Sequence, residues 1–190
     1  MLYYNSMKKA RTVALIFLAI AAVAVWAASS ITICDGRYGY EHNAASCLRS
    51  IAFAQDDFRA NDRDGNGKAD YWRRDIAGLY AQKDPQGQLL KLIELPIACA
   101  DAGGASGIEP YGPRSPKSGY WYRSLGFRDE TALDPERFAA CAYPVSISSG
   151  RKMFLITHKG ILFQKMISGR FHPPSACPID PEREGWAKVN

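Results

Sequence analysis

Residues 41–61, EHNAASCLRSIAFAQDDFRAN, carry the pattern that decides the fold. Ala44, Cys47, Ile51, Ala54 and Phe58 recur at alternating steps of three and four, with Leu48 and Ala52 beside that seam. An α-helix puts such positions on one face, whereas a strand would scatter them over both. Arg49, Ser50, Asp56, Asp57 and Arg59 take the other faces. The helix is therefore amphipathic, and its apolar stripe must lie against another element. Asn43 is placed to cap its first turn, where a short polar side chain can accept from an orphan amide.

Downstream of this helix the sequence becomes irregular and then changes period. Tyr71, Trp72, Ile76, Leu79 and Tyr80 form a short aromatic-rich segment, and Asp84-Pro85-Gln86-Gly87 reads as a turn. QLLKLIELPIACA (88–100) is expected to be a second helix, bent or ended by Pro96. Glycine, proline and serine throughout 101–119 mark a long surface loop. Four runs rich in aromatic and β-branched residues follow: YWYRSLGF (120–127), RFAACAYPV (137–145), KMFLITH (152–158) and ILFQKMI (161–167). Ser148-Ser149-Gly150 and Lys159-Gly160 are spaced to turn hairpins between them. The residues thus predict an α+β fold, the amphipathic helix packed on a four-stranded antiparallel sheet. The last segment is proline-rich, with Trp186 folded back onto the domain.

Upstream, Lys8, Lys9 and Arg11 precede an uncharged run from Thr12 to Cys34. As a helix at roughly 1.5 Å per residue, this run is long enough for a hydrocarbon core of about 30 Å. The basic flank, 1–11, keeps its end cytoplasmic. Residues 12–34 are then a transmembrane anchor or a cleaved signal segment, and 35–190 an extracytoplasmic α+β domain. Three of the 24 basic residues lie in that flank and none of the 19 acids does, leaving a formal +2 on the remainder. This is no nucleic-acid footprint. The expected address is the inner membrane with a periplasmic domain, or a secreted chain if the leader is removed.

NDRDGNGKAD (61–70) is the segment with the clearest candidate chemistry. Asp62, Asp64, Asn66, Gly67 and Asp70 occupy relative positions 1, 3, 5, 6 and 9 of a calcium-loop template, and Lys68 at position 7 offers a backbone carbonyl. Alternate side chains in such a loop converge their oxygens on a hard cation. Arg73 stands where an EF-hand needs its bidentate glutamate, so the template is incomplete, and an Asx-rich turn ending the helix is the competing reading. Five cysteines (34, 47, 99, 141 and 177) lack C-x-x-C spacing, which leaves zinc and thioredoxin chemistry unsupported. Two disulfides with one thiol left over fit an oxidising compartment; buried thiols are the alternative. His42, His158 and His172 are isolated in sequence, and no motif assigns any of them a catalytic role.

LRSIAFAQDDFRANDRDGNGKADY (48–71), GYWYRSL (119–125), FAACAYP (138–144), GRKMFLITHKGILFQK (150–165) and DPEREGW (180–186), in this order, resemble the bacterial domain of unknown function 2950. That resemblance implies an exported envelope protein and supplies no catalytic residues. The layout also resembles pilins and pseudopilins in architecture, with an apolar N-terminal helix, an amphipathic continuation and an antiparallel sheet. It lacks their processing signal and the glutamate inside the apolar run. A membrane-anchored envelope protein of structural or interaction type is the expectation, calcium-stabilised if the loop binds. Its expected partners are another envelope protein or a second copy. The alternative is a carbohydrate- or wall-binding module with Tyr120, Trp121 and Tyr122 as contact surface. A hydrolase built on a histidine beside Cys141 or Cys177 is the third reading.

Overall fold

The computed structural model describes residues 36–104, 107–129, 134–168 and 172–189. The chain divides into two units, Met1–Tyr38 and Gly39–Asn190, and the second holds the sheet. The anchor or signal segment, 12–34, and Cys34 lie outside the described residues. Among the described residues no helix is long and apolar enough to cross a membrane, so the expected apolar helix gains no support.

Helix α1 is already formed at residue 36 and runs to 60. Asn43 is therefore inside the helix rather than at its cap, and its side-chain amide reaches the Ser118 hydroxyl at 3.5 Å. Ala44, Cys47, Leu48, Ile51, Ala54 and Phe58 are buried. They share one core with Tyr120, Tyr122, Ala140, Ala142, Phe154 and Ile156 of the sheet. Each large aliphatic or aromatic side chain buried there contributes about 1.5–3 kcal/mol relative to exposure.

The second helix expected over 88–100 is not found. Leu89 pairs with Lys83 across the 84–87 turn, and Lys91 takes a positive φ of 49°, which an L-residue helix excludes. Only α3, Leu95–Cys99, is helical, with Pro96 in its first turn. Proline opens this helix rather than ending it, since a first-turn amide needs no partner within the helix. A further single turn, α2, spans Gly78–Ala81. Its glycine is required, because a Cβ there would overlap the Trp72 indole.

The four-stranded antiparallel, pilin-like sheet is also corrected. The sheet is six-stranded, mixed and curled, in the order β5-β1-β2-β3-β4-β6. Its strands are β1 (Tyr120–Phe127), β2 (Ala139–Pro144), β3 (Lys152–Thr157), β4 (Leu162–Met166), β5 (Ala176–Cys177) and β6 (Ala187–Lys188). β1 to β4 pair antiparallel, with Arg123 opposite Cys141 and Cys141 opposite Leu155. β5 runs parallel to β1 at Gly126 and Phe127, and β6 pairs antiparallel with β4 at Phe163 and Gln164. Two-residue strands among prolines have no measurable period, so sequence could not place them.

The two faces of the sheet carry separate cores. Opposite the α1 face, Leu125, Cys141, Met153, Leu155, Phe163 and Cys177 pack with Trp186, which is indeed folded onto the domain. At one end of the sheet, Glu41 accepts from the Arg151 amide at 2.9 Å and pairs with Lys152 at 3.4 Å. Gly150 lets the Tyr120 ring pass beneath the β2–β3 connection, where any Cβ would overlap the phenol.

Candidate functional site

The polar loop begins where α1 ends. Asn61 returns its amide and its side chain to Asp57, and Arg63 closes a two-point ion pair on the same carboxylate at 2.9 and 3.0 Å. Asp62 has a φ of 43°, and its carboxylate accepts from the amides of Asn66 (3.0 Å) and Gly67 (2.9 Å). The Asn66 side chain donates to Asp64 at 3.0 Å and reaches Asp70 at 3.4 Å, while its own oxygen accepts from the Lys68 amide at 2.7 Å. Asp64, Asn66 and Asp70 stand together beside a cleft walled by Tyr71 and Trp72. The carboxylate and amide oxygens serve the loop's own N–H groups, and the Asn66 side chain stands between Asp64 and Asp70. Among the described residues, no group of three or more His, Cys, Asp or Glu is arranged to hold a metal ion. Asp62, Asp64, Asn66, Lys68 and Asp70, the expected calcium loop, are folded as an Asx turn whose side-chain oxygens accept from the loop's own amides.

The disulfides are likewise corrected. Cys47, Cys99, Cys141 and Cys177 are free and buried. Each packs as a small hydrophobe against its own neighbours: Cys47 beside Tyr122, Cys99 against Gly112, Cys141 beside Arg123. Burial pushes the Cys141 thiol up to about 12, with Cys177 adding and Arg123 opposing. A thiol so protonated is no nucleophile at neutral pH.

Tyr120 and Tyr122 are wholly buried, and only Trp121 is part-exposed. Burial holds both phenols far above their ordinary range. A ring platform for sugars would rest on Trp121 alone.

Two polar residues missed at the sequence level organise the domain. Gln55, buried in α1, donates from Nε2 to the Trp72 carbonyl (2.6 Å) and accepts from the Trp72 amide (3.0 Å), so it holds the 71–73 segment like a strand partner. A glutamine four residues after Ile51 and three before Phe58, on an apolar stripe, was the available signal. Asp101, also buried, accepts from the amides of Ile76 (2.7 Å), Ala77 (3.0 Å) and Gly103 (2.7 Å). Burial raises its pKa and the three amides oppose that rise. It ties three turns of chain together, and no local sequence pattern announced it.

His158, directly after β3, is half-buried. Its ring meets Phe127 edge-on at 6.0 Å, and its amide donates to the Phe138 carbonyl at 2.8 Å. Nδ1 is buried without a hydrogen-bond partner. Burial, with Lys159 and Arg137 close by, holds the imidazole below its usual pKa. Beside it opens a cavity of about 290 Å³, floored by Phe127, Ile161, Phe163, Cys177 and Pro178.

At the opposite end of the sheet, Val145 and Ile147 of the β2–β3 connection are 53% and 63% exposed, and Met166 at the end of β4 is 59% exposed. The pairing of Met166 with Lys152 and the Ile167 amide bond to the Arg151 carbonyl bring the two segments side by side. Comparison with protein-family models, with curated proteins and with solved structures finds no match to this chain.

Proposed function

We propose that Gly39–Asn190 is an extracytoplasmic domain that acts by contact rather than catalysis, and that a partner protein docks at the sheet end carrying Val145, Ile147 and Met166. The observation that carries this reading is that three exposed apolar side chains, Val145, Ile147 and Met166, fall at the same end of the sheet. Such grouping marks interaction surfaces more often than isolated exposed residues do. The end is held by the Glu41 bonds to Arg151 and Lys152 and by the Tyr120 hydroxyl, which donates to the Lys152 carbonyl at 3.0 Å. A surface fixed in this way loses little entropy on binding. Support for a non-catalytic role comes from Asp101, whose oxygens are used by backbone amides, and from the depth of the Cys141 thiol. The basic flank and uncharged run of 8–34 support the address.

A photo-crosslinking side chain placed at Ile147 in the native cell envelope is expected to give one discrete protein adduct. The double change Val145→Ser and Ile147→Ser should abolish that adduct from a probe at Met166, with the melting temperature unchanged. A probe that labels no protein in the envelope, or labelling indifferent to the double change, would overturn the reading.

A further inference from the structure

The cavity beside His158 lies at the other end of the sheet from the proposed docking surface and is independent of it. Its floor is apolar: Phe163, Cys177 and Pro178 are buried, and Phe127 and Ile161 are part-exposed. Its rim is charged, but nearly every charge there is matched. Arg137 pairs with Asp129 at 3.1 Å, Lys188 with Glu182 at 2.9 Å, and Asp180 faces Arg183 at 3.8 Å. Lys159 is the one charged lining residue that makes no ion pair or hydrogen bond among the described residues. It adjoins His158, so an ammonium and an imidazole stand together over an apolar floor.

We propose that this cavity binds a small apolar carboxylate, its hydrocarbon part on Phe127, Ile161 and Phe163 and its carboxylate beside Lys159 and His158. The volume suits one ring or a short branched chain, below the range of drug-sized pockets. Matched rim pairs offer a ligand charge nothing further, whereas the ammonium of Lys159 offers a charge-assisted hydrogen bond. His158 makes the binding proton-linked. The groups facing it are Lys159 on its own turn, Arg137 and Asp134 from the segment before β2, the Phe138 carbonyl, and the uncharged Phe127 ring of β1. An incoming carboxylate favours the protonated, cationic ring, so affinity rises as pH falls.

The test uses the full chain and two probe pairs followed by NMR. 3-Phenylpropionate is compared with 3-phenylpropanol, and N-acetylphenylalanine with its amide. The acids should bind at least about tenfold tighter than their uncharged counterparts, about 1.4 kcal/mol by the usual conversion. The preference should widen between pH 7.5 and 5.5, shrink with Lys159→Gln and persist with Lys159→Arg. His158→Gln should flatten the pH dependence. Tighter binding of the acetylated amino acid points to a peptide C-terminus as the source, and tighter binding of the simple acid to a free metabolite. Equal affinity of acid and uncharged probe, or no perturbation of Ile161 by any of the four, overturns the proposal. The wild-type comparison decides the matter even if a variant misfolds.

Discussion

The two faces of the sheet are closed in different ways. On one, a long amphipathic helix lays a continuous stripe, Ala44 to Phe58, against Tyr120, Tyr122 and Phe154, and Gln55 and Asp101 lock the intervening turns beneath it. On the other, a smaller core around Leu155, Phe163 and Cys177 is closed by the C-terminal segment, held to the sheet by two residues of β5, two of β6 and bonds that join Val189 and Glu184 to β4. The first face is held by a locally encoded element, the second by short pairings and one indole. A domain built this way should lose its second face before its first.

Leu48→Ala tests the stronger face most directly. Leu48 is fully buried, and the helix backbone around it cannot collapse inward, so the loss should be about 4 kcal/mol, seen as a lower denaturation midpoint with an unchanged slope. Trp186→Ala should cost about 3 kcal/mol, at the low end for a buried aromatic because the ring sits under a sheet margin that can relax. Its effect should be local: hydrogen exchange should speed up in 176–188 while α1 stays protected. Equal acceleration in α1 would mean the two faces unfold as one.

A smaller effect belongs to the turn that ends α1. Asp62→Ala removes the acceptor for two amides and should cost about 1 kcal/mol, with Asp62→Asn recovering most of it. Millimolar calcium should move the melting temperature by less than a degree, and a rise of several degrees abolished by Asp64→Ala would restore the cation-loop reading. The smallest effect concerns pH. The folded pKa of His158 lies below its unfolded value, so between the two the unfolded chain binds more protons. Stability from this group is therefore present above the unfolded pKa near 6.5 and declines as pH falls through that value toward the folded one. His158→Gln should remove that slope. A slope of opposite sign would place a carboxylate partner on the ring.

Legibility in the sequence followed local repetition. YWYRSLGF is bounded by turn residues and alternates along its length, and its span is that of β1. The α1 stripe is equally local. The 88–100 segment misled because its leucine spacing mimics a helix, while the Lys83–Leu89 bridge and the positive φ of Lys91 come from contacts with the preceding turn. The loop at 62–70 shows the limit for sites. Its residue types were read correctly, but whether carboxylates face a cation or backbone amides depends on loop closure. The surroundings of His158 were illegible for a related reason, since nothing in ITHKG reveals that Phe127 will meet its ring edge-on.

By itself the sequence determined a long amphipathic helix and four core strands, because 3.6-residue and two-residue periods are properties of neighbouring positions. Only the tertiary structure decided that the sheet has six strands and runs mixed, that four thiols stay unbonded and buried and that a cavity opens beside Lys159. Each of those depends on residues many positions apart meeting at a particular distance, and a short segment carries no record of what it will meet.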